Sequence, residues 1–307
     1  MRAVAFHDFG ATPTSVELPV PQPAAGEVLV QVTASSVNGF DLAALGGYLK
    51  GVYEYEFPVV IGKDFAGRVA ATGEGVTGLA VGDEVFGVVL RPTLGQGGFA
   101  EYVAVTADHG IAPIPDGLDH ARAGALGLAG TAALNAVDAV APLAGETVLI
   151  SGATGGVGAF AIQLAAARGA TVIATAAPGE QTAFVTALGA RHAVDPADLA
   201  TRVRDLAPDG VAAALHLAGD GDAVAGLLAP GGRFVSTMHH VPDTTELGIT
   251  ASTVMAAPDR ATLGRLAADV VAGRLRVPVA RVYPLEESGR AIADFTGGTL
   301  GKLGITI

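Results

Sequence analysis

Seven consecutive residues, Gly152-Ala153-Thr154-Gly155-Gly156-Val157-Gly158, carry the sharpest chemical signal in the chain. Their core, Ala153-x-Gly155-x-x-Gly158, is the G-x-G-x-x-G frame with alanine in the first slot. The chemistry it suits is binding of a pyrophosphate. A small residue at 153 permits a tight turn, Gly155 lets the main chain approach the anion, and Gly158 allows a helix to pack closely on a strand. Unsatisfied N–H groups and the dipole at the helix start favour negative charge. A lone match to this frame is weak, so its context decides. Thr147 to Ile150 reads as a strand before the loop, Ala159 to Ala167 as a helix after it, and Thr171 to Thr175 as the next strand, which together make a β–α–β unit. No Gly-Lys-Ser/Thr follows, which excludes a P-loop nucleotide site.

The second strand of such a unit often ends in an acid that holds a ribose hydroxyl. Here it ends Ile173-Ala174-Thr175-Ala176-Ala177, with no carboxylate to repel a 2′-phosphate. NADPH is therefore favoured over NADH, and NADH stays open because no Lys or Arg follows at once.

Other side chains weigh less. Tyr48 is a candidate proton donor or a packing tyrosine, and Asn38 orients a substrate or caps a turn. Lys63 and Asp64 read as a structural ion pair. His239 and His240 are adjacent and cannot clip one metal from a strand. The chain contains no cysteine, so it offers neither a thiolate nucleophile nor a Cys-based zinc site. Gly-x-Ser-x-Gly is absent too.

These residues must be positioned by two kinds of element. Residues 1 to about 115 show short strands punctuated by glycine turns, as in the Val28-to-Ser35 alternation after Pro19, Pro21 and Pro23, and suggest a barrel-like domain. From Asp119 the rhythm becomes helical, then alternates strand and helix to about residue 236. Helices are expected over Asp259 to Ala272 and Leu285 to Phe295, and a last strand over Leu303 to Ile307. A chain of 307 residues accommodates two domains, and half of it is hydrophobic. The net charge of −12 disfavours nucleic acid and anionic membrane surfaces. No run of about 18 apolar residues suggests a membrane span, the start does not read as a signal peptide, and the expected compartment is the cytoplasm.

Linked motifs in order then carry a resemblance: Ala34-Ser35-Ser36-Val37-Asn38 with Asp41, Phe57-Pro58-Val59-Val60-Ile61-Gly62-Lys63-Asp64-Phe65-Ala66-Gly67, Gly82-Asp83-Glu84-Val85-Phe86, Gly98-Phe99-Ala100-Glu101-Tyr102, Gly130-Thr131-Ala132, the glycine loop, Leu188-Gly189-Ala190 and Gly301-Lys302-Leu303. Over nearly its whole length the chain resembles the medium-chain dehydrogenase/reductase superfamily, in its zinc-free quinone oxidoreductase (zeta-crystallin-like) branch. Zinc-dependent relatives carry Gly-His-Glu where this chain has Gly62-Lys63-Asp64, and a cysteine near Asn38.

The resemblance implies an α/β fold: a GroES-like β-barrel-type domain (1–115 and 251–307) and a doubly wound Rossmann domain (116–250). It implies hydride transfer without metal from NADPH to a small conjugated acceptor, a quinone or an α,β-unsaturated carbonyl, in a cleft between the domains, and a homodimer formed through the strand around Gly248 to Val254. Thr131 would lie near the nicotinamide. Ala153, Thr154, Gly155, Gly156 and Val157 would hold the pyrophosphate, Thr175 and Ala176 would line the adenosine ribose, and Ala218-Gly219 would pass the nicotinamide ribose. Lys302 would lie near the cofactor cleft, with Asn38 and Tyr48 facing substrate. Departures are Gln181, aligned with a lysine that often serves the 2′-phosphate, and His216, where relatives often have Asp. The competing reading is non-redox: a cyclase, a lyase or a binding protein that keeps the dinucleotide site.

Overall fold

A computed structural model describes residues 1–307. They form two compact units, Met1–Thr131 with Ala257–Ile307, and Ala132–Ala256. The family resemblance implies limits at 115/116 and 250/251. The first limit lies later in the structure because helix His120–Ala123 packs on strands Glu27–Ser36 and Asp64–Thr72. The second does so because strand Thr250–Thr253 pairs with Leu228–Ser236.

The first unit is mostly antiparallel β. Its largest sheet runs Ile111–Pro113, Glu84–Val88, Asp64–Thr72, Glu27–Ser36, Lys302–Thr306, Val279–Pro284, and Tyr102–Thr106 also pairs with Glu27–Ser36. A smaller sheet orders Thr14–Glu17, Arg2–Phe6 and Val59–Val60. Strand Glu27–Ser36 bonds to several neighbours and is buried along most of its length, with Gln31 and Thr33 turned outward. This unit holds two apolar cores, one around Phe6, Ile61 and Phe99 and one around Val30, Phe65 and Val85, and strand Glu27–Ser36 gives Val28, Val30 and Val32 to the second. Gly62 turns the chain at φ +98°, where a side chain would collide with the Phe99 ring. That turn delivers Lys63 and Asp64 to the start of their strand.

The C-terminal strand closes this unit onto its own centre. Lys302–Thr306 lies antiparallel to Glu27–Ser36, with Gly304 opposite Ser36, and the N–H of Val37 donates to the carbonyl of Leu303. This register sets Lys302 beside Val37 and Asn38.

The second unit is a six-stranded, wholly parallel sheet in the order His192–Val194, Thr171–Thr175, Thr147–Ser151, Val211–His216, Leu228–Ser236, Thr250–Thr253. This is the 3-2-1-4-5-6 order of a dinucleotide-binding sheet, with its switch point between Thr147–Ser151 and Val211–His216. Parallel strands covered on both faces read as apolar runs, and Leu149, Ile173 and Phe234 fill this core. The α/β class with a β-rich unit and a doubly wound unit is the architecture expected from the sequence. No helix is long and apolar enough to cross a membrane.

Candidate functional site

The glycine loop stands at the switch point of the parallel sheet. Strand Thr147–Ser151 runs into Gly152, and Gly155, with extended backbone (φ −70°, ψ 175°), opens helix Gly156–Ala167. No side chain caps that helix. Its first amides are thus left for an acceptor from outside the chain. The two inner glycines differ in role. A Cβ on Gly158 would sit 2.5 Å from the carbonyl oxygen of Gly152, so this glycine lets the helix touch the loop. A Cβ on Gly155 would meet nothing nearer than 3.7 Å. The chain's own packing does not need Gly155 bare, whereas a diphosphate resting on the loop does.

Beside the loop lies a cavity of about 500 Å³, whose wall includes Gly152, Thr154, Thr175, Gln181, Ala218 and Gly219. Thr175 caps the turn from within: its Oγ1 accepts from the Gly152 N–H at 3.0 Å. Ala176 is buried and gives its N–H to Val194 O. The Ala177 N–H donates to Gln181 Oε1 at 2.9 Å, which folds the segment after the strand. Asp198 and Asp220 also reach the cavity wall, and no lysine or arginine does.

Opposite the glycine loop, the turn after Val211–His216 is held by its neighbours. Ser151 Oγ donates to Ala218 O. The buried His216 ring spans Gly219 O and Ser236 Oγ, at 3.0 Å each. A carbonyl only accepts, so Nε2 carries a proton, and the Ser236 oxygen that meets Nδ1 also takes the Met238 N–H. Sequence reasoning marked His216 as a departure but missed Ser151 and Ser236, since single serines carry no spacing signal.

The first unit buries a polar centre. Asp64 is fully buried and accepts from the Leu128 N–H at 2.7 Å, the Ser36 hydroxyl at 2.6 Å and Asn38 Nδ2 at 2.8 Å. Lys302 reaches Asn38 Oδ1 at 2.5 Å and Val37 O at 2.9 Å, and stands 3.6 Å from Asp64. Asp41 accepts the N–H groups of Asn38 and Gly62. Burial pushes the Asp41 carboxyl up to about 7, with the Asn38 amide opposing and the nearby Asp64 adding to the rise.

The ion pair expected between Lys63 and Asp64 does not form: Asp64 pairs with Lys302, and Lys63 donates to Val89 O instead. Adjacent residues entering a strand point to opposite faces.

The structure brings Asn38 and Lys302 together, and each is engaged by buried partners. Tyr48 lies in the turn after helix Gly39–Leu45, 83% exposed, and shares no hydrogen bond with either. Thr131 is fully buried, and its Oγ1 has no partner. Buried hydroxyls are normally satisfied. Ala153, Thr154, Gly155, Gly156 and Val157 all lie on the glycine loop and the helix start.

A divalent metal does not fit the polar centre. The Lys302 ammonium is buried there beside Asp64, and no group of three or more His, Asp or Glu residues converges anywhere in the chain. A nicotinamide dinucleotide does fit the parallel unit, by the bare Gly155, the uncapped helix and the adjoining cavity.

Comparison with known proteins agrees with this geometry. The profile of the alcohol dehydrogenase GroES-like domain matches residues 24–116, and that of the zinc-binding dehydrogenases matches residues 156–256. A quinone oxidoreductase from Coxiella burnetii has a solved structure with a TM-score of 0.89 and 30% identity, covering 100% of this chain and 99% of that one. A mycobacterial protein solved in complex with NADPH superposes with a TM-score of 0.88 at 27% identity, each chain covered in full. A chloroplast envelope quinone oxidoreductase homolog from Arabidopsis thaliana is 33% identical over 64% of this chain, and the match spans 61% of that protein's length.

Proposed function

The chain belongs to the medium-chain dehydrogenase/reductase superfamily, in its quinone oxidoreductase branch, and from that premise we propose that it transfers hydride from NADPH to a quinone or an α,β-unsaturated carbonyl. One observation carries this reading: a bare, uncapped glycine loop at the switch point of a 3-2-1-4-5-6 sheet, opening onto a cavity large enough for a dinucleotide half. When bound, the reduced nicotinamide supplies the hydride. The residues of the chain do the rest. Amides at 156 to 158 would bind the diphosphate, Ala218 and Gly219 would flank the nicotinamide ribose, and the unpartnered Thr131 hydroxyl would receive a polar atom of the coenzyme.

The missing carboxylate at Ala176-Ala177 supports NADPH over NADH. Asp198 and Asp220, with no cation beside them, make the preference shallow. The strand Thr250–Thr253 is the edge of the parallel sheet and is largely exposed, which supports a homodimer paired through it.

The experiment is coenzyme consumption followed by absorbance against a panel of quinones and enones, beside direct titration of NADPH and NADH. Oxidation of NADPH by at least one acceptor is expected. A chain that binds the coenzyme and never oxidises it with any acceptor would sink hydride transfer and favour a non-redox enzyme.

A further inference from the structure

Resting on the hydride-transfer reading, we propose that Lys63 is the oxygen-binding group of the acceptor site: its ammonium receives the carbonyl oxygen of the conjugated acceptor and holds the negative charge that gathers there.

Two lysines are buried in the first unit, and they differ in one respect. Lys302 is neutralised by Asp64. Lys63, 7% exposed, forms no ion pair. Its one hydrogen bond goes to Val89 O at 2.5 Å. The Phe40 ring lies 4.5 Å from the nitrogen and the Tyr53 ring 5.8 Å away. An ammonium has three N–H donors, so two remain without a protein acceptor. Burying a cation without a direct ion-pair partner is unfavourable, and groups held at such cost concentrate where function needs them.

The space around Lys63 suits an oxygen. A small cavity of about 20 Å³ is walled by Lys63, Phe40, Asp41, Gly62, Val89 and Gln96, and that is room for about one water-sized atom. Phe40 gives the place for that oxygen an apolar side, and the rest of the conjugated acceptor lies outside this cavity. The cation gives one polar end, so the pocket distinguishes the two ends of C=C–C=O. Burial also pulls Lys63 down to about 8, with Asp41 and Asp64 opposing the fall. It stays charged at neutral pH and can still release a proton.

Atoms and electrons balance in this step. The acceptor gains a hydride at its β-carbon, and the C=C electron pair moves through the carbonyl to oxygen as an enolate. That oxygen accepts from Lys63 Nζ–H. One proton, given by Lys63 and replaced from water, then closes the α-carbon. The product has gained two hydrogens and two electrons, and the nicotinamide is left oxidised. A quinone takes the proton on oxygen instead.

The test reads charge at the oxygen without turnover. 4-Nitrophenol is titrated into the full chain, and its absorbance separates phenol from phenolate. Wild type is expected to bind the phenolate and lower the probe's apparent pKa. Lys63→Met should abolish that shift and bind phenolate at least about tenfold more weakly, while Lys63→Arg keeps part of it. With NADPH and an enone, kcat of Lys63→Met should fall on the order of a hundredfold, with coenzyme affinity unchanged. Unchanged coenzyme affinity also reports folding, and Lys63→Gln replaces Met should that variant not fold. Retention of the phenolate shift in the Met or Gln variant overturns the oxygen site whatever turnover shows. A shift that depends on Lys63, in a wild type that oxidises no NADPH, overturns the hydride-transfer reading instead.

Discussion

The ammonium of Lys302 lies 3.6 Å from Asp64 Oδ2, and the two side chains are 2% and 0% exposed. They come from distant parts of the chain, so this pair ties the C-terminal strand into the first unit. Removing one partner of a buried pair leaves a charge that nothing offsets, at about 3–5 kcal/mol. Lys302→Met should lose stability of that order in urea unfolding. Asp64→Asn combined with Lys302→Met should recover a good part of it, because the amide removes the unpaired charge and keeps an acceptor oxygen. Additive losses in the double variant would show that the pair is not coupled.

Asp41 and Lys63 set a pH dependence of stability. Asp41 in the folded chain holds its proton up to about 7, whereas the unfolded chain releases it near 3.8. Over that window the native state binds more protons, so stability falls as pH rises. Lys63 releases its proton near 8 when folded and near 10.5 when unfolded. Over that window the unfolded state binds more protons, and stability rises with pH. Lys302, also lowered by burial, adds to the alkaline limb. These groups place a shallow minimum in Tm between pH 7 and 8. Asp41→Asn should flatten the acid limb; an unchanged Tm profile in that variant would refute the assignment.

Gly158 and Gly155 should separate folding from binding. Gly158→Ala forces a methyl within 2.5 Å of backbone, and overpacking of this kind costs about 1–3 kcal/mol. Gly155→Ala meets open space, so Tm should hold. Coenzyme affinity should nevertheless drop by about tenfold, ~1.4 kcal/mol. Calorimetric titration of both variants checks the contrast.

Thr131→Val exchanges a buried, unpartnered hydroxyl for a methyl of similar shape. Without coenzyme the variant should be as stable as wild type or up to about 1 kcal/mol more stable. With coenzyme it should gain less in Tm than wild type does. An identical coenzyme-induced rise would show that the hydroxyl has no part in binding.

Gln181 stands on the cavity wall beside the segment that follows the second parallel strand. Gln181→Lys adds a cation where a 2′-phosphate would approach. The ratio of NADH to NADPH dissociation constants should rise about tenfold, since hydrogen bonds to charged groups contribute about 1.5–3 kcal/mol. A ratio that stays fixed would place the 2′ position elsewhere.

Local signals made the parallel unit legible. A strand, a glycine loop, a helix and a strand in immediate succession need no distant partner to be recognised, because the spacing of Ala153, Gly155 and Gly158 reflects contacts within one β–α–β unit. The polar centre of the first unit was much less readable. Asn38, Asp64 and Lys302 were each visible as motif members, yet adjacency in sequence suggested Lys63 as the partner of Asp64. The serines that hold His216 and Ala218 gave no signal at all.

By itself, then, the sequence determined the class of fold, the glycine loop between strand and helix, and the absence of thiolate chemistry, since all three follow from residue type and short-range periodicity. Only the tertiary structure decided which lysine is neutralised and which is left with N–H groups to offer. That choice depends on the register of strand Lys302–Thr306 against Glu27–Ser36, a long-range pairing fixed by packing of the whole sheet rather than by any local pattern of residues.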